Sequence, residues 1–273
     1  MIMPGGLLRT YAACAALFWL PAASHAQNDN EPPAANPGRP TVSTPATLTP
    51  VGYLQFENGA LYAMDTPGLS AQLSLNQVTK LTIASRLQFI SSWEPYAHSS
   101  GPGSDQPGGV SLGVQAVVLP GQGVKPTVSI SYFKSLNDGN APDIDVGSAE
   151  QSGVVLFSLD YVGFHADING IANEQEDTGT RRAQFGQTLS VSRTLGRYTI
   201  AGELWHFSQP LTQGNTVGSL WALSYTVRPN LILDAGFNHG FTSTSTAWES
   251  FAGFTYLLPH RLWPTPAASP GPR

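Results

Sequence analysis

Residues able to do chemistry are few in this chain, and their spacing argues against catalysis. Beyond the first 26 residues the histidines are His98, His165, His206, His239 and His260. His165 and Asp167 stand two residues apart in the stretch GFHADINGI (163–171), so in an extended chain they share one face and could hold a metal or a substrate. The ordinary reading of a polar pair at that spacing is the lining of a polar surface. No nucleophile elbow is expected, and no histidine sits in the His-x-Ser-Asn-Gly context of barrel phospholipases. No His-Glu-x-x-His or comparable ligand cluster occurs. The loop acids Asp138, Asp143 and Asp145 (NDGNAPDID) lack the spacing and the terminal Glu of an EF-hand, and read as solvated charge. The expectation is therefore no enzyme, no metal and no cofactor.

The elements that carry these residues alternate in polarity. In 110–118, Val110, Leu112, Val114, Ala116 and Val118 share one face, and Ser111, Gly113 and Gln115 the other. In 231–238, Leu231, Leu233, Ala235 and Phe237 oppose Asp234 and Asn238. About twelve such segments follow one another between residues 51 and 258, and no segment keeps a helical apolar period over three turns. Most are near the roughly 9–11 residues that a tilted strand needs to cross a bilayer. The predicted fold is all-β, an antiparallel transmembrane β-barrel of about 12 strands. A basic side chain facing lipid near the midplane would cost about 2–4 kcal/mol, so charged and amide side chains within strands are placed inside. That rule makes Gln55, Glu57, Lys80, Arg86, Gln115, Asp160, His165, Asp167, Glu203, Asp234, Asn238 and Glu249 the candidate lumen-lining residues. Parity puts Val117, Phe133, Leu156, Trp205 and Ile232 inside with them, giving a mixed lumen suited to an amphipathic solute.

The connections carry further information. Short ones are expected at Gln77–Thr79, Pro120–Lys125, Val162, Thr194–Gly196 and Arg228–Pro229. Between them fall longer ones: 91–109, 135–151, 174–181, 209–215 and 240–247. Short turns at one end and longer loops at the other mark an outer-membrane barrel. Aromatic residues near strand ends, among them Tyr62, Tyr132, Tyr161, Trp221, Tyr225, Trp248 and Tyr256, fit interfacial girdles.

Composition agrees. Charged residues are 11% of the 273, against about 25% in ordinary soluble domains. The mean hydropathy is nevertheless only −0.09, which excludes a bundle of membrane helices. Arg9, the apolar run from Tyr11 to Pro21 and the small residues Ser24 and Ala26 form the three parts of a secretory signal, with cleavage near Ala26. The sole cysteine, Cys14, lies within that signal, so the exported chain has no thiol chemistry. Without Arg9 it carries 12 basic and 18 acidic residues, a net charge of −6, which argues against nucleic acid as a partner. Residues 27–50 are rich in Pro, Asn and Thr and read as a disordered leader. Residues 51–258 form the barrel, and 259–273 are a Pro-rich tail of the same kind.

The stretches GYLQFENGALYA (52–63), LSLNQVTKLTIASRLQF (73–89) and NLILDAGFNHGFTSTSTAWESFAGFTYLL (230–258) resemble the outer-membrane family named for the MetA pathway of phenol degradation. The elements that carry the likeness are Leu233-Asp234-Ala235-Gly236, Gly240-Phe241-Thr242 and the closing run Trp248–Tyr256. The resemblance implies an outer-membrane transporter for hydrophobic or aromatic solutes, in a bacterium of Gram-negative type. The expected partners are a small-molecule solute and outer-membrane lipid, with the oligomeric state left open. Two other readings stay open at this point: a secreted soluble β-sandwich binding module, with an apolar core and a polar surface, and a plugged structural barrel.

Overall fold

A computed structural model describes residues 33–263, apart from 101–104, 143, 145–148, 178 and 211–213. The expected signal peptide and the tail from residue 264 lie outside the described residues, as do loop residues Asp143 and Asp145. Thirteen strands follow in chain order: β1 (Leu54–Thr66), β2 (Leu69–Ala84), β3 (Leu87–Ser99), β4 (Asp105–Gln106), β5 (Gly108–Leu119), β6 (Thr127–Gly139), β7 (Gln151–Tyr161), β8 (Phe164–Asp177), β9 (Thr180–Leu195), β10 (Tyr198–Phe207), β11 (Thr216–Arg228), β12 (Leu231–Gly240) and β13 (Trp248–Leu257). Each long strand pairs antiparallel with the next, and β1 pairs with β13 from Gln55↔Leu257 to Met64↔Trp248, closing the ring. The two-residue β4 only extends the end of β3. The barrel thus has twelve staves.

Its polarity is the reverse of a soluble domain. Gln55, Gln72, Gln88, Gln115 and Gln184 are fully buried, whereas Phe89, Leu112, Ile130, Phe185, Leu204 and Trp221 are each about half exposed. A surface of that kind is stable facing lipid and would aggregate in water. It excludes the β-sandwich, which needs the opposite arrangement. Tyr62, Tyr132, Tyr161, Trp221 and Trp248 are exposed on the outer face, and Tyr225 and Tyr256 half-buried. Inside, aromatic rings lie over glycines of the neighbouring strand. A Cβ at Gly218 would stand in the Trp205 indole, and one at Gly186 in the Phe207 ring, so these positions admit only hydrogen.

Three boundaries differ from expectation. No turn interrupts Gln77–Thr79, because β2 runs unbroken to Ala84 and the turn falls at Ser85–Arg86. The polar side chains of that stretch alternate like the rest of the strand and include no Gly or Pro to break it. The expected loop 91–109 is largely strand, since β3 continues to Ser99 through a register shift opposite Leu75 and Gln77. That shift absorbs Pro95, which has no N–H to give to a ladder. At 174–181 the β8–β9 ladder runs out to Asp177↔Thr180. The long connections nevertheless cluster at one end, with the first and last strands beginning and ending at the other.

Candidate functional site

The lumen is not empty. Residues 33–50, expected as a disordered leader, fold back into the half of the barrel near the short turns and line its wall as a ring. This corrects the leader reading for the described part of the segment. Such a sequence has no apolar core of its own, but it needs none where a polar wall satisfies its backbone. The ring enters beside the β11–β12 turn, where the Ala35 N–H donates to the Pro229 carbonyl (2.8 Å). It is clasped shut by Asn36, whose side-chain amide donates to the Thr47 carbonyl (2.9 Å). The start of the tail packs there too. The Leu262 N–H donates to the Gly52 carbonyl, and the Arg261 side chain to that of Val51 (2.8 Å each).

Wall side chains from ten of the twelve staves grip this ring. On β1, Gln55 exchanges two hydrogen bonds with the Asn36 backbone (2.9 and 2.8 Å). Beside it Glu57 accepts from the backbone N–H groups of Gly38 (3.1 Å) and Arg39 (3.2 Å), and pairs with Lys80 of β2 (2.5 Å). On β12, Asp234 takes the Arg39 guanidinium at 3.0 Å. On β10, Glu203 accepts from the Val42 N–H (2.7 Å) and from the N–H and hydroxyl of Ser43 (2.6 Å each). The Ser43 and Thr188 hydroxyls are 2.7 Å apart, which adds β9. Asn169 of β8 accepts from the Thr44 N–H (2.6 Å), and Ser158 of β7 from the Ala46 N–H (2.7 Å). Ser129 of β6 donates to the Ala46 carbonyl (2.5 Å), and Gln115 of β5 to that of Pro45 (3.0 Å). Thr49 reaches Gln88 of β3 and Thr82 of β2.

Of the residues picked from sequence, Gln55, Glu57, Lys80, Gln115, Asp167, Glu203, Asp234 and Asn238 are buried inside the barrel. Glu249 is half-buried and accepts from the Asn238 amide (2.7 Å), whose oxygen takes the Trp205 indole N–H (2.8 Å). Asp160 and His165 lie at the short-turn rim. His165 is 2.8 Å from Asp160 and 3.2 Å from Asp167, which also accepts from Ser158 (2.5 Å). Arg86 is a correction: it occupies the β2–β3 turn, because the strand that was to carry it inward ends at Ala84. Among the described residues no group of three His, Cys, Asp or Glu is placed to hold a metal ion.

The residues missed from sequence are those of the ring itself. One signal was available. The strand positions assigned to the lumen carry Glu57, Asp160, Asp167, Glu203, Asp234 and Glu249 against Lys80 and Arg86, an acid excess that calls for donors from elsewhere.

Beyond the ring, toward the long loops, the lumen widens into a cavity of about 450 Å³ floored by Val42. Its wall includes Ser111, the central residue of the run Gly109-Val110-Ser111-Leu112-Gly113, which matches the letters of a nucleophile elbow. The run lies within strand β5, with neither the sharp turn nor the following helix that an elbow requires, and among the described residues no histidine lines the cavity.

No protein-family model and no curated protein matches this chain. Solved structures do. The COG4313 outer-membrane channel of Pseudomonas putida F1 superposes with a TM-score of 0.55 at 13% identity, covering 82% of this chain and all of that one. The KdgM porin, solved in complex with disordered oligogalacturonate, gives 0.50 at 12% identity, over 75% of this chain and 98% of the porin. The fold is that of the outer-membrane β-barrels. At these identities the likeness is one of architecture, and the MetA-pathway resemblance has no family match behind it.

Proposed function

We propose that this protein is an outer-membrane channel for small solutes, with its path closed by its own residues 33–50. The observation that carries the reading is the way the lumen is filled. The interior of a transmembrane barrel is polar, so whatever fills it is held by polar contacts. Here the wall and the ring meet through hydrogen bonds and one ion pair, Arg39–Asp234, which water can replace when the ring moves. A cavity within the usual range of ligand pockets, about 300–1,000 Å³, opens above it toward the long loops. Phe133, Val154 and Ile171 line that cavity and support an amphipathic or aromatic solute, as the MetA-pathway resemblance implies. Oligogalacturonate, the ligand of the KdgM structure, is not assigned to this lumen, where the buried Lys80 and the half-buried Arg39 are already paired with acids.

The test is a lock. Ser43 and Thr188 touch through their hydroxyls, so the double variant Ser43→Cys/Thr188→Cys can tie the ring to β9. The reduced full-length variant is expected to pass current in planar bilayers as the wild type does, and to fall silent on oxidation. No current from either the wild type or the reduced variant would refute the channel.

A further inference from the structure

The ion pair between ring and wall sits in a fitted slot. Gly59 of β1 and Gly253 of β13 are direct partners on the seam that closes the barrel, and Asp234 of β12 is the partner of Gly253 on its other side. The Arg39 guanidinium lies in the space that the two glycines leave. A Cβ at Gly59 would stand in the guanidinium, and one at Gly253 would come within 2.8 Å of its Nε and Nη2. Those two nitrogens donate to the two oxygens of Asp234 (3.4 and 3.0 Å), a fork that a carboxylate can share with a guanidinium and not with an ammonium. The Asp234 side chain is 2% exposed and that of Arg39 19%, so the occupant covers the acid and is itself open to the lumen. One step along the same two strands toward the long loops comes the pair Leu61↔Phe251. Phe251 is buried with Leu220 and Ala222 of β11, and Leu61 packs against them. This apolar patch adjoins the slot on the side from which a solute arrives.

We infer that Gly59, Gly253 and Asp234 form a guanidinium-binding site, filled in the closed state by Arg39 and offered on opening to solutes that join a guanidinium to a small apolar body. This rests on reading the ring as a closure that moves, and names the class of solute. The physical ground is what the ring takes with it when it leaves. The neighbouring pair, Lys80 with Glu57, is made wholly by the wall and stays intact. Asp234 loses Arg39, and a buried carboxylate without a cation is costly. A planar, forked cation restores the pair and refills the slot. An ammonium supplies the charge but neither the second bond nor the shape. The patch around Phe251 then takes the apolar body of the solute. An organic acid would meet Asp234 as a like charge.

The experiment empties the slot and offers it three probes that share a benzyl body. Benzylguanidinium, benzylammonium and benzyl alcohol are titrated by calorimetry into the full-length, detergent-solubilised Arg39→Ala variant, shown to be folded by its heat-modifiable migration. The guanidinium is expected to bind at least roughly tenfold more tightly than the ammonium, because only it makes both bonds to Asp234. The wild type, whose slot is filled in cis at an effective concentration on the order of millimolar, should bind it at least roughly tenfold more weakly than the variant does. The atoms nearest to a Cβ at Gly59 are those of the Arg39 guanidinium, so adding Gly59→Ala to Arg39→Ala puts a methyl where the guanidinium lay, and should remove the preference over ammonium. If Arg39→Ala does not fold alone, refolding decides: benzylguanidinium should restore the heat-modifiable band at a concentration where benzylammonium does not. Equal affinity or equal rescue by the two cations, a preference that survives Gly59→Ala, equal binding by wild type and variant, or no binding at about 20 mM overturns the assignment. Failure of the channel reading is seen separately: binding in the expected order with no bilayer current from the wild type leaves the slot standing and removes the path.

Discussion

Replacing Glu203 with Gln should loosen the ring at one of its buried anchors. Three donors converge on this carboxylate, the N–H groups of Val42 and Ser43 and the Ser43 hydroxyl, all within 2.7 Å. Hydrogen bonds to a charged group contribute about 1.5–3 kcal/mol each in net terms. Gln keeps one acceptor oxygen and turns an N–H₂ toward the remaining backbone donor, so at least one bond is lost and a donor faces a donor. Against this, the buried carboxylate pays a desolvation penalty that Gln does not. The balance is a loosening of about 2 kcal/mol, roughly a thirtyfold rise in the fraction of molecules whose ring has left the wall there, at about 1.4 kcal/mol per factor of ten. Local opening of this kind is read by amide hydrogen exchange. The fragment spanning 40–50 should lose protection by about thirtyfold, while β10 itself exchanges as before. Unchanged protection of Val42 and Ser43 would show that the carboxylate is a bystander, and would refute the reasoning that wall acids hold the ring.

Lys80→Met leaves Glu57 buried without its cation, and should lower stability by about 3–5 kcal/mol, seen as a lower urea midpoint. Adding Glu57→Gln to it should recover part of that loss; additive losses would contradict the pairing. Val162 sits at φ 49° in the two-residue turn between β7 and β8, a left-handed conformation that a β-branched residue adopts only under strain. Val162→Asn should raise stability by about 1 kcal/mol in refolding titrations, since Asn-Gly is the favoured pair for such a turn. Leu204 is among the most exposed apolar residues of the wall, yet Leu204→Arg should cost about 2–4 kcal/mol in lipid vesicles. A neutral effect there would place β10's outer face in water.

The staves were legible because each is a local pattern. Polar and apolar residues alternate along Val110–Val118 or Leu231–Asn238, and the wall of a membrane barrel needs nothing more than that to place Gln115 or Asp234 inside. The failures were local too. The Ser85–Arg86 turn carries no Gly or Pro, so nothing in the letters told it from strand, and a boundary set a few residues early sent Arg86 to the wrong place. The ring was illegible for a different reason. Its anchors are remote in sequence, with Arg39 and Asp234 separated by 195 positions and Ser43 and Glu203 by 160. Composition alone classes residues 33–50 as unable to fold, and taken by themselves that is correct.

What makes the segment ordered is the wall's incompleteness without it. Glu203 has three donors in this structure and all of them come from residues 42 and 43. Asp234 takes an ion pair from Arg39, and Glu57 two backbone N–H groups from residues 38 and 39. An empty lumen would leave these carboxylates to water; a ring of apolar residues would leave them with nothing. The polar wall therefore selects a hydrogen-bonding occupant, and an extended, proline-interrupted segment supplies it because its backbone groups are not spent on a helix or a ladder. The grip is spread over many strands, from one or two contacts on most of them to three on β10 and at least four on β1. Such a seat orders the ring without any single bond that water could not replace, which is the property a closure needs if it is to open.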